Sequence, residues 1–166
     1  MTTTQKPHLY QCVTDCFLSN ELDEILLLHR SANRKVLPSF YNGVGGKMHY
    51  LETPLESVIR EVSEETGSTQ SKDIVLKGIL TVQDQHGLWQ IFLFTGSILK
   101  KNIRKLHISE GNLEWVPHNR VQEKLLVPDL RFFIELLWGD QKFFFAKAVY
   151  DTSNNLIGDV LITIIQ

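Results

Sequence analysis

The hydrophobic pattern changes period several times along the chain. Leu9 to Leu18 is rich in strand formers and reads as a strand, Ser19-Asn20-Glu21 as a turn, and Glu24 to His29 (EILLLH) as a second, largely buried strand. Ser31 to Asn42 is a loop long enough to carry function. Gly43-Val44-Gly45-Gly46 is a short extended piece in which backbone must approach something closely. The period then becomes helical: Leu55, Val58, Ile59 and Val62 follow i, i+3, i+4, i+7 and give one apolar face. This predicts a helix over Thr53 to Thr66, with Thr53 as N-cap, Pro54 in the first turn, a T-x-x-E capping box completed by Glu56, and Gly67 as the stop. Ile74 to Asp84 and Leu88 to Ile98 predict a hairpin around Gln85-His86-Gly87, and Asn112 to Pro117 a short strand. Asn119 to Leu126 and Asp129 to Trp138 read as helices, the second with Phe132, Phe133, Leu136 and Leu137 facing inward. Phe143 to Tyr150 and Leu156 to Ile165 close the chain as strands. Strands and helices mix without strict alternation. The expected class is therefore α/β (α+β), a mixed β-sheet with helices on both sides rather than a doubly wound parallel fold.

Composition narrows the class of partner. A chain of 166 residues without repeats, low-complexity tracts or long linkers is expected to form a single domain, 1–166. The net charge of -2 supplies no global basic field, so no stable nucleic-acid partner is expected and a bound polyanion needs a local device such as a metal ion. No apolar run approaches the ~20 residues that span a bilayer, so no membrane partner is expected. Met1 to Pro7 is polar and lacks a signal-peptide core, which makes a cytoplasmic location the expectation. Cys12 and Cys16 in one strand lie about 13 Å apart, too far for a disulfide, and are expected as buried free thiols. Neither CxxC nor HExxH is present, so a thiolate or imidazole zinc site has no support. A monomer or a homodimer fits this composition.

The candidate chemistry sits on the predicted helix. At 100° per residue, Glu61, Glu64 and Glu65 fall on one flank, off the apolar face, as mutual i+3 and i+4 neighbours. Like charges at this spacing repel. One reading is a solvated charged face with Arg60 paired to Glu56 or Glu64. The other is a cage of hard oxygen ligands for Mg²⁺, with Mn²⁺ able to substitute.

The stretch from Gly46 to Ser68, GKMHYLETPLESVIREVSEETGS, decides between them, because it resembles the Nudix box G-x5-E-x7-R-E-U-x-E-E-x-G-U, where U is a bulky aliphatic residue. Gly46, Glu52, Arg60, Glu61, Val62, Glu64, Glu65 and Gly67 match in register. At about 7% usage per fixed position, chance gives such a match on the order of one time in a million. Two positions depart. Ser68 stands where an aliphatic residue is usual, and Leu51 where the family usually has glycine. Neither is a metal ligand, so altered loop geometry is expected and not lost chemistry. The resemblance implies a Nudix-type α/β/α sandwich and hydrolysis of a diphosphate linkage with Mg²⁺. It implies metal binding by the Gly46 carbonyl, Glu61 and Glu65, often joined by Glu64. It also implies a Glu52–Arg60 salt bridge that braces the loop on the helix. The base that activates water is Glu61 or Glu65, or a glutamate of a later loop, for which Glu110 is the candidate.

Outside the box the resemblance extends over roughly Leu9 to Ile164 and is to the MutT-type branch, which hydrolyses oxidised purine nucleoside triphosphates such as 8-oxo-dGTP. It is carried by EILLLHR at Glu24 to Arg30, YNGVGGK at Tyr41 to Lys47, EGNLEWVP at Glu110 to Pro117 and FFFAKAVYD at Phe143 to Asp151. By this analogy Asn42 reads a purine edge with its amide, unless it is only a turn residue before Gly43. Asp129 does likewise, unless it is only a helix N-cap. Val127 stands where a relative has a stacking tryptophan, a role that Tyr41 or Phe40 can fill. Lys47 is a candidate phosphate contact. Trp89 and Trp115 read as core residues rather than base platforms, and Lys100, Lys101, Arg104 and Lys105 as a solvated loop rather than a contact for a phosphate or an RNA end. ADP-ribose, a dinucleoside polyphosphate or an RNA 5′ end remains an alternative substrate within the fold. A non-catalytic nucleotide-binding module usually lacks box glutamates, and all are present here. An isopentenyl diphosphate isomerase needs a catalytic cysteine beyond the box, and Cys12 and Cys16 come too early.

Overall fold

The structure is a computed structural model that describes residues 9–139 and 143–165. The Met1 to Pro7 segment lies outside the described residues. Nine strands form one sheet: β1 (Tyr10–Ser19), β2 (Glu24–Arg30), β3 (Tyr41–Asn42), β4 (Lys72–Asp84), β5 (Gly87–Ser97), β6 (His107–Ile108), β7 (Gly111–Pro117), β8 (Phe143–Val149) and β9 (Leu161–Ile165). Their order is β6-β7-β2-β1-β5-β4-β8-β9, with β3 paired to β2. β1 runs parallel to β5 and β4 to β8, while the other pairs are antiparallel, so the sheet is mixed.

Strand periodicity explains the layers. In β1 and β2 consecutive residues are buried because both faces are covered. Phe17, Ile25 and Leu27 point into one core and Cys16, Leu18, Leu26 and Leu28 into the other. The first core is closed by Val121, Leu126, Leu130, Phe133, Ile134 and Leu137 of the 118–137 segment. The second is closed by Val58 and Val62 of helix α1 (Pro54–Thr66). This is the α/β/α sandwich. Among the described residues no helix is long and apolar enough to cross a membrane.

The helical segments differ from the sequence expectation in an informative way. α1 has the predicted ends, with Thr53 and Glu56 exchanging capping-box hydrogen bonds and Gly67 left-handed at φ 70°. Its apolar stripe is rolled, however. Leu55 and Ile59 are exposed, whereas Ser57, Glu65 and Thr66 are buried beside Val58 and Val62. The buried hydroxyls are satisfied by Thr14 Oγ1 against Ser57 Oγ at 3.3 Å and by Thr66 Oγ1 donating to the Val62 carbonyl at 2.6 Å. The roll turns the acidic flank toward the sheet. The two later helices are mostly 3₁₀ turns: His118–Glu123, then a four-residue α2 (Leu130–Phe133) running into Ile134–Leu137. Lys124 and Phe132 bond three residues back, not four, and Pro128 disfavours a helical Val127, so no long ladder forms. The helical period survives as Leu130, Phe133, Ile134 and Leu137, all buried, and not as Phe132 and Leu136, which are exposed and half-buried. The final strand is shorter than expected because residues 150–160 form a turn before β9. Cys16 is buried and Cys12 half-buried, both as free thiols.

One irregularity positions the site. β2 pairs with β1 only at Leu18↔Leu26 and Ser19↔Ile25, then diverges. The opening is filled by the glycine run, which bonds back to β1 through Val44 and Cys16 in both directions (2.8 and 2.9 Å) and through Thr14 N–H to the Gly46 carbonyl at 2.9 Å. A Cβ at Gly45 would sit 2.0 Å from the Thr14 carbonyl oxygen, so side-chain-free backbone is required for the strands to meet.

Candidate active site

The same run brings backbone against the acids of α1. The Gly45 N–H donates to Glu65 Oε2 at 3.1 Å, and a Cβ at Gly46 would lie 2.5 Å from Glu61 Oε1. Gly46 therefore leaves its peptide lying directly on the Glu61 carboxylate. The Gly46 carbonyl already accepts the Thr14 N–H, and a carbonyl oxygen retains a second lone pair.

Arg60 ties the loop to the helix. Its Nε and Nη2 form a fork to Glu52 at 2.7 and 2.9 Å, Nη1 reaches Glu61 Oε1 at 2.8 Å and Glu64 Oε2 at 3.3 Å, and Nη2 also meets the Lys47 carbonyl at 3.2 Å. Glu52 further accepts the His49 N–H at 2.8 Å, and together these bonds hold its carboxyl down at about 2. Glu56 is committed to the cap, so the pairing of Arg60 is with Glu52, Glu61 and Glu64.

The remaining acids face one another with little compensation. Burial, with the charges of Glu110, Glu61 and Asp15, pushes the Glu65 carboxyl up to about 8, and the Gly45 N–H only partly offsets this. Glu110, in the turn between β6 and β7, is held by Arg34 at 3.4 Å and by its own carbonyl accepting the Ser31 N–H. Asp15 on β1 is buried. Burial pushes it up to about 8 against a hydrogen bond from the Asn42 side chain.

A cleft of about 990 Å³ joins these groups. Its wall includes Asp15, Arg30, Asn42, Gly45, Gly46, Lys47, Glu61, Trp89 and Glu110. Asn42, Lys47, Gly46, Glu61 and Glu110 among the sequence candidates thus meet in one place, with Glu65 behind Gly45 and Glu64 exposed on the rim side of Arg60. Tyr41 is used elsewhere. Its ring stacks on His29 at 4.4 Å with Lys124 on it at 5.0 Å, and its hydroxyl donates to Glu114 at 2.7 Å. Asp129 is buried away from the cleft wall, its N–H donating to the Tyr150 hydroxyl at 3.1 Å, and burial raises its carboxyl to about 6. Trp89 is a correction. It packs on the core but also forms cleft wall, under the Lys47 ammonium at 5.5 Å. Trp115 packs on the α1-side core as expected. Asp15 and Arg30 carried no local sequence signal; only the sheet topology brings them into the cleft.

Among the described residues no three His, Cys, Asp or Glu side chains already converge as a ligand group. Glu61 and Glu64 are turned onto Arg60 and Glu65 onto Gly45. The donor set nevertheless suits a divalent cation. Its members are hard oxygens only, and they share one turn of helix and a backbone carbonyl.

The comparisons with known proteins agree with this geometry. A NUDIX domain family model matches residues 9–137. An uncharacterized Nudix hydrolase of Bacillus subtilis (strain 168), YvcI, is 32% identical over 124 residues, covering 71% of this chain and 73% of that protein. The MutT protein of Bacillus halodurans superposes with a TM-score of 0.73 at 26% identity, over 93% of this chain and 97% of that one. The MutT protein of Methanosarcina mazei Go1 gives 0.65 at 26% identity, over 80% and 96%. The chain belongs to the Nudix family and is a hydrolase of phosphoanhydride bonds.

Proposed function

We propose that this hydrolase is a magnesium-dependent nucleoside triphosphate pyrophosphohydrolase that releases a monophosphate and pyrophosphate, with an oxidised purine nucleotide such as 8-oxo-dGTP as substrate. The observation that carries the reading is that one cleft is lined by Gly45, Gly46 and Glu61 of the box together with Asn42 and Trp89. It matches a ligand with a polyphosphate and a flat, polar base. The likeness to two MutT proteins favours the triphosphate over other diphosphates.

Glu61, Glu64, Glu65 and the Gly46 carbonyl would hold Mg²⁺ or Mn²⁺. When bound, such an ion neutralises phosphate oxygens and aligns water. The chain's own groups do the rest. Arg60 keeps Glu61 and Glu64 in place while Glu52 fixes the guanidinium. Lys47 and Arg30 bring cations to the cleft wall for the phosphates. Glu110 lines the cleft from the turn between β6 and β7 and is our choice of base, with Glu65 as the second candidate.

A hydrolysis panel with Mg²⁺ over oxidised and normal nucleoside triphosphates, ADP-ribose and dinucleoside polyphosphates, read by pyrophosphate and monophosphate release, tests this. The expected outcome is pyrophosphate from triphosphates, highest with an oxidised purine. Glu64→Gln and Glu65→Gln are expected to lower kcat at least ~100-fold while leaving the fold intact. Faster turnover of ADP-ribose or a dinucleoside polyphosphate would replace the triphosphate reading. Wild-type rates in both variants would remove those residues from the chemistry.

A further inference from the structure

Asp15 is a buried polar group that the hydrolytic reading leaves unused. It sits mid-strand in β1, between the buried Thr14 and Cys16, on the face shared with Phe17. A strand interior covered on both sides is a costly place for a carboxyl. Its residue is only 6% exposed, and Oδ1 has no hydrogen-bond partner among the described residues. The surroundings do not neutralise it. Arg30 is near, but Asp129 opposes it with a like charge. The fold nonetheless accommodates it. A Cβ at Gly43 would lie 2.3 Å from Oδ1, so the glycine leaves the space that the carboxyl occupies. The group forms part of the floor of the same cleft that holds Asn42 and Gly46.

We propose that Asp15, together with Asn42, is the specificity-determining pair for the base, and that the pair selects a purine edge with adjacent N–H donors, as in guanine, over one that alternates donor and acceptor, as in adenine. This rests on the reading of the cleft as a nucleotide site. The chemistry follows from what each group offers. Once ionised, Asp15 is a pure acceptor, and the Asn42 amide, with one N–H directed to Asp15, offers its Oδ1 as a second acceptor. Two neighbouring acceptors match the N1–H and N2–H₂ of a guanine-type edge. Against adenine, one of them faces the N1 lone pair. The aspartate χ2 torsion is broad and two-fold, so either oxygen can turn to the incoming donor. Such a ligand gives the Asp15 Oδ1 a hydrogen-bond partner.

The test uses the full chain with Asp15→Asn, a near-isosteric change that keeps the volume and hydrogen-bonding capacity of the floor. The first measurement is the ratio of kcat/KM for guanine-type to adenine-type triphosphates in the presence of Mg²⁺. We expect the wild type to favour the guanine type and Asp15→Asn to cut that ratio at least ~10-fold, because an amide can pair with the adenine edge as well. An unchanged ratio, with both substrates slowed equally or not at all, overturns the proposal, since a merely structural role moves both alike. The second measurement is equilibrium binding of GMP and AMP to both proteins. Asp15-dependent preference for GMP without turnover of any triphosphate would uphold the base assignment while the reaction proposed above fails. Turnover of triphosphates without Asp15-dependence would do the reverse. Binding of neither monophosphate, with no turnover, overturns both. A thermal melt no lower than wild type is expected for Asp15→Asn, and Asp15→Leu repeats the ratio measurement if the amide variant melts early.

Discussion

Leu51 shows what one side chain costs at the entrance to the catalytic helix. Its φ is 63°, in the left-handed region, and the residue is 84% exposed, so no burial offsets the steric conflict. This is the position at which the resemblance to the Nudix family leads one to expect glycine. The turn itself is intact, with Glu52 N–H donating to the His49 carbonyl at 3.2 Å and Glu52 Oε2 accepting from His49 N–H. The departure therefore changes strain and not the placement of Glu52. Left-handed backbone costs a non-glycine residue about 1–2 kcal/mol, and glycine gives part of that back through its freer unfolded chain. Leu51→Gly is expected to stabilise the protein by about 0.5–1 kcal/mol, a rise in Tm of about 2 °C. Leu51→Ala, which keeps the strain, is expected to give no such rise in the same scanning-calorimetry series. Equal melting of the two would mean that the turn carries no strain. The other departure, Ser68, is explained by its bonds. It is buried, its N–H donates to Thr66 Oγ1 at 3.2 Å and its hydroxyl accepts the Gln70 N–H at 3.2 Å, so a turn replaces an apolar contact.

At the scale of the element, α1 works as a platform because Arg60 fastens it to the loop that precedes it. One guanidinium serves Glu52, Glu61, Glu64 and the Lys47 carbonyl, which needs a planar fork with several donors. Lysine has the charge without the fork. Arg60→Lys is expected to lower metal affinity or kcat about 10- to 100-fold, read from the Mg²⁺ dependence of turnover, with little loss of fold. An unaltered Mg²⁺ dependence would show that the brace is dispensable. The legibility of the chain follows the same division between local and distant causes. The caps of α1 were readable at Thr53, Glu56 and Gly67 because capping is decided within four residues. The box register was readable because its spacing is helical. The roll of α1 that buries Glu65 and exposes Leu55 and Ile59 was not, since it depends on Thr14 and the glycine run of a distant strand. The 118–137 segment kept its apolar period but lost its helical ladder for the same kind of reason. It lies across a sheet face whose shape its own residues do not encode. Asp15 and Trp89 looked like ordinary strand residues, and only the parallel pairing of β1 with β5 brings both strands to one cleft.

For the whole molecule, the site leaves its mark on stability as a function of pH. Burial raises Asp15 to about 8 and Asp129 to about 6, and Glu65 stands at about 8 from burial and the charges of Glu110 and Glu61. A carboxyl whose pKa is raised by folding keeps its proton in the native state after the unfolded chain has released it. Stability is then greatest below the unfolded value near 4 and falls as pH rises toward the folded value. These groups thus weaken the fold between about pH 4 and 8. Glu52 acts in the opposite sense. Its carboxyl is held at about 2 by Arg60, so its contribution is present above about pH 4.5 and is lost as pH falls toward 2. The two sets together place the optimum in mildly acid solution, lower than most proteins show. In metal-free buffer, Tm is expected to fall steadily from about pH 5 to 9. Asp15→Asn is expected to flatten that slope by removing one group worth up to a few kcal/mol. A wild-type Tm that does not change over this range, or an equal slope in Asp15→Asn, would mean that the buried carboxyl titrates as if it were exposed. The sign of the effect connects stability to use: a carboxyl that burdens the fold, and that Asp15→Asn is expected to relieve, fits the base-reading role proposed for it.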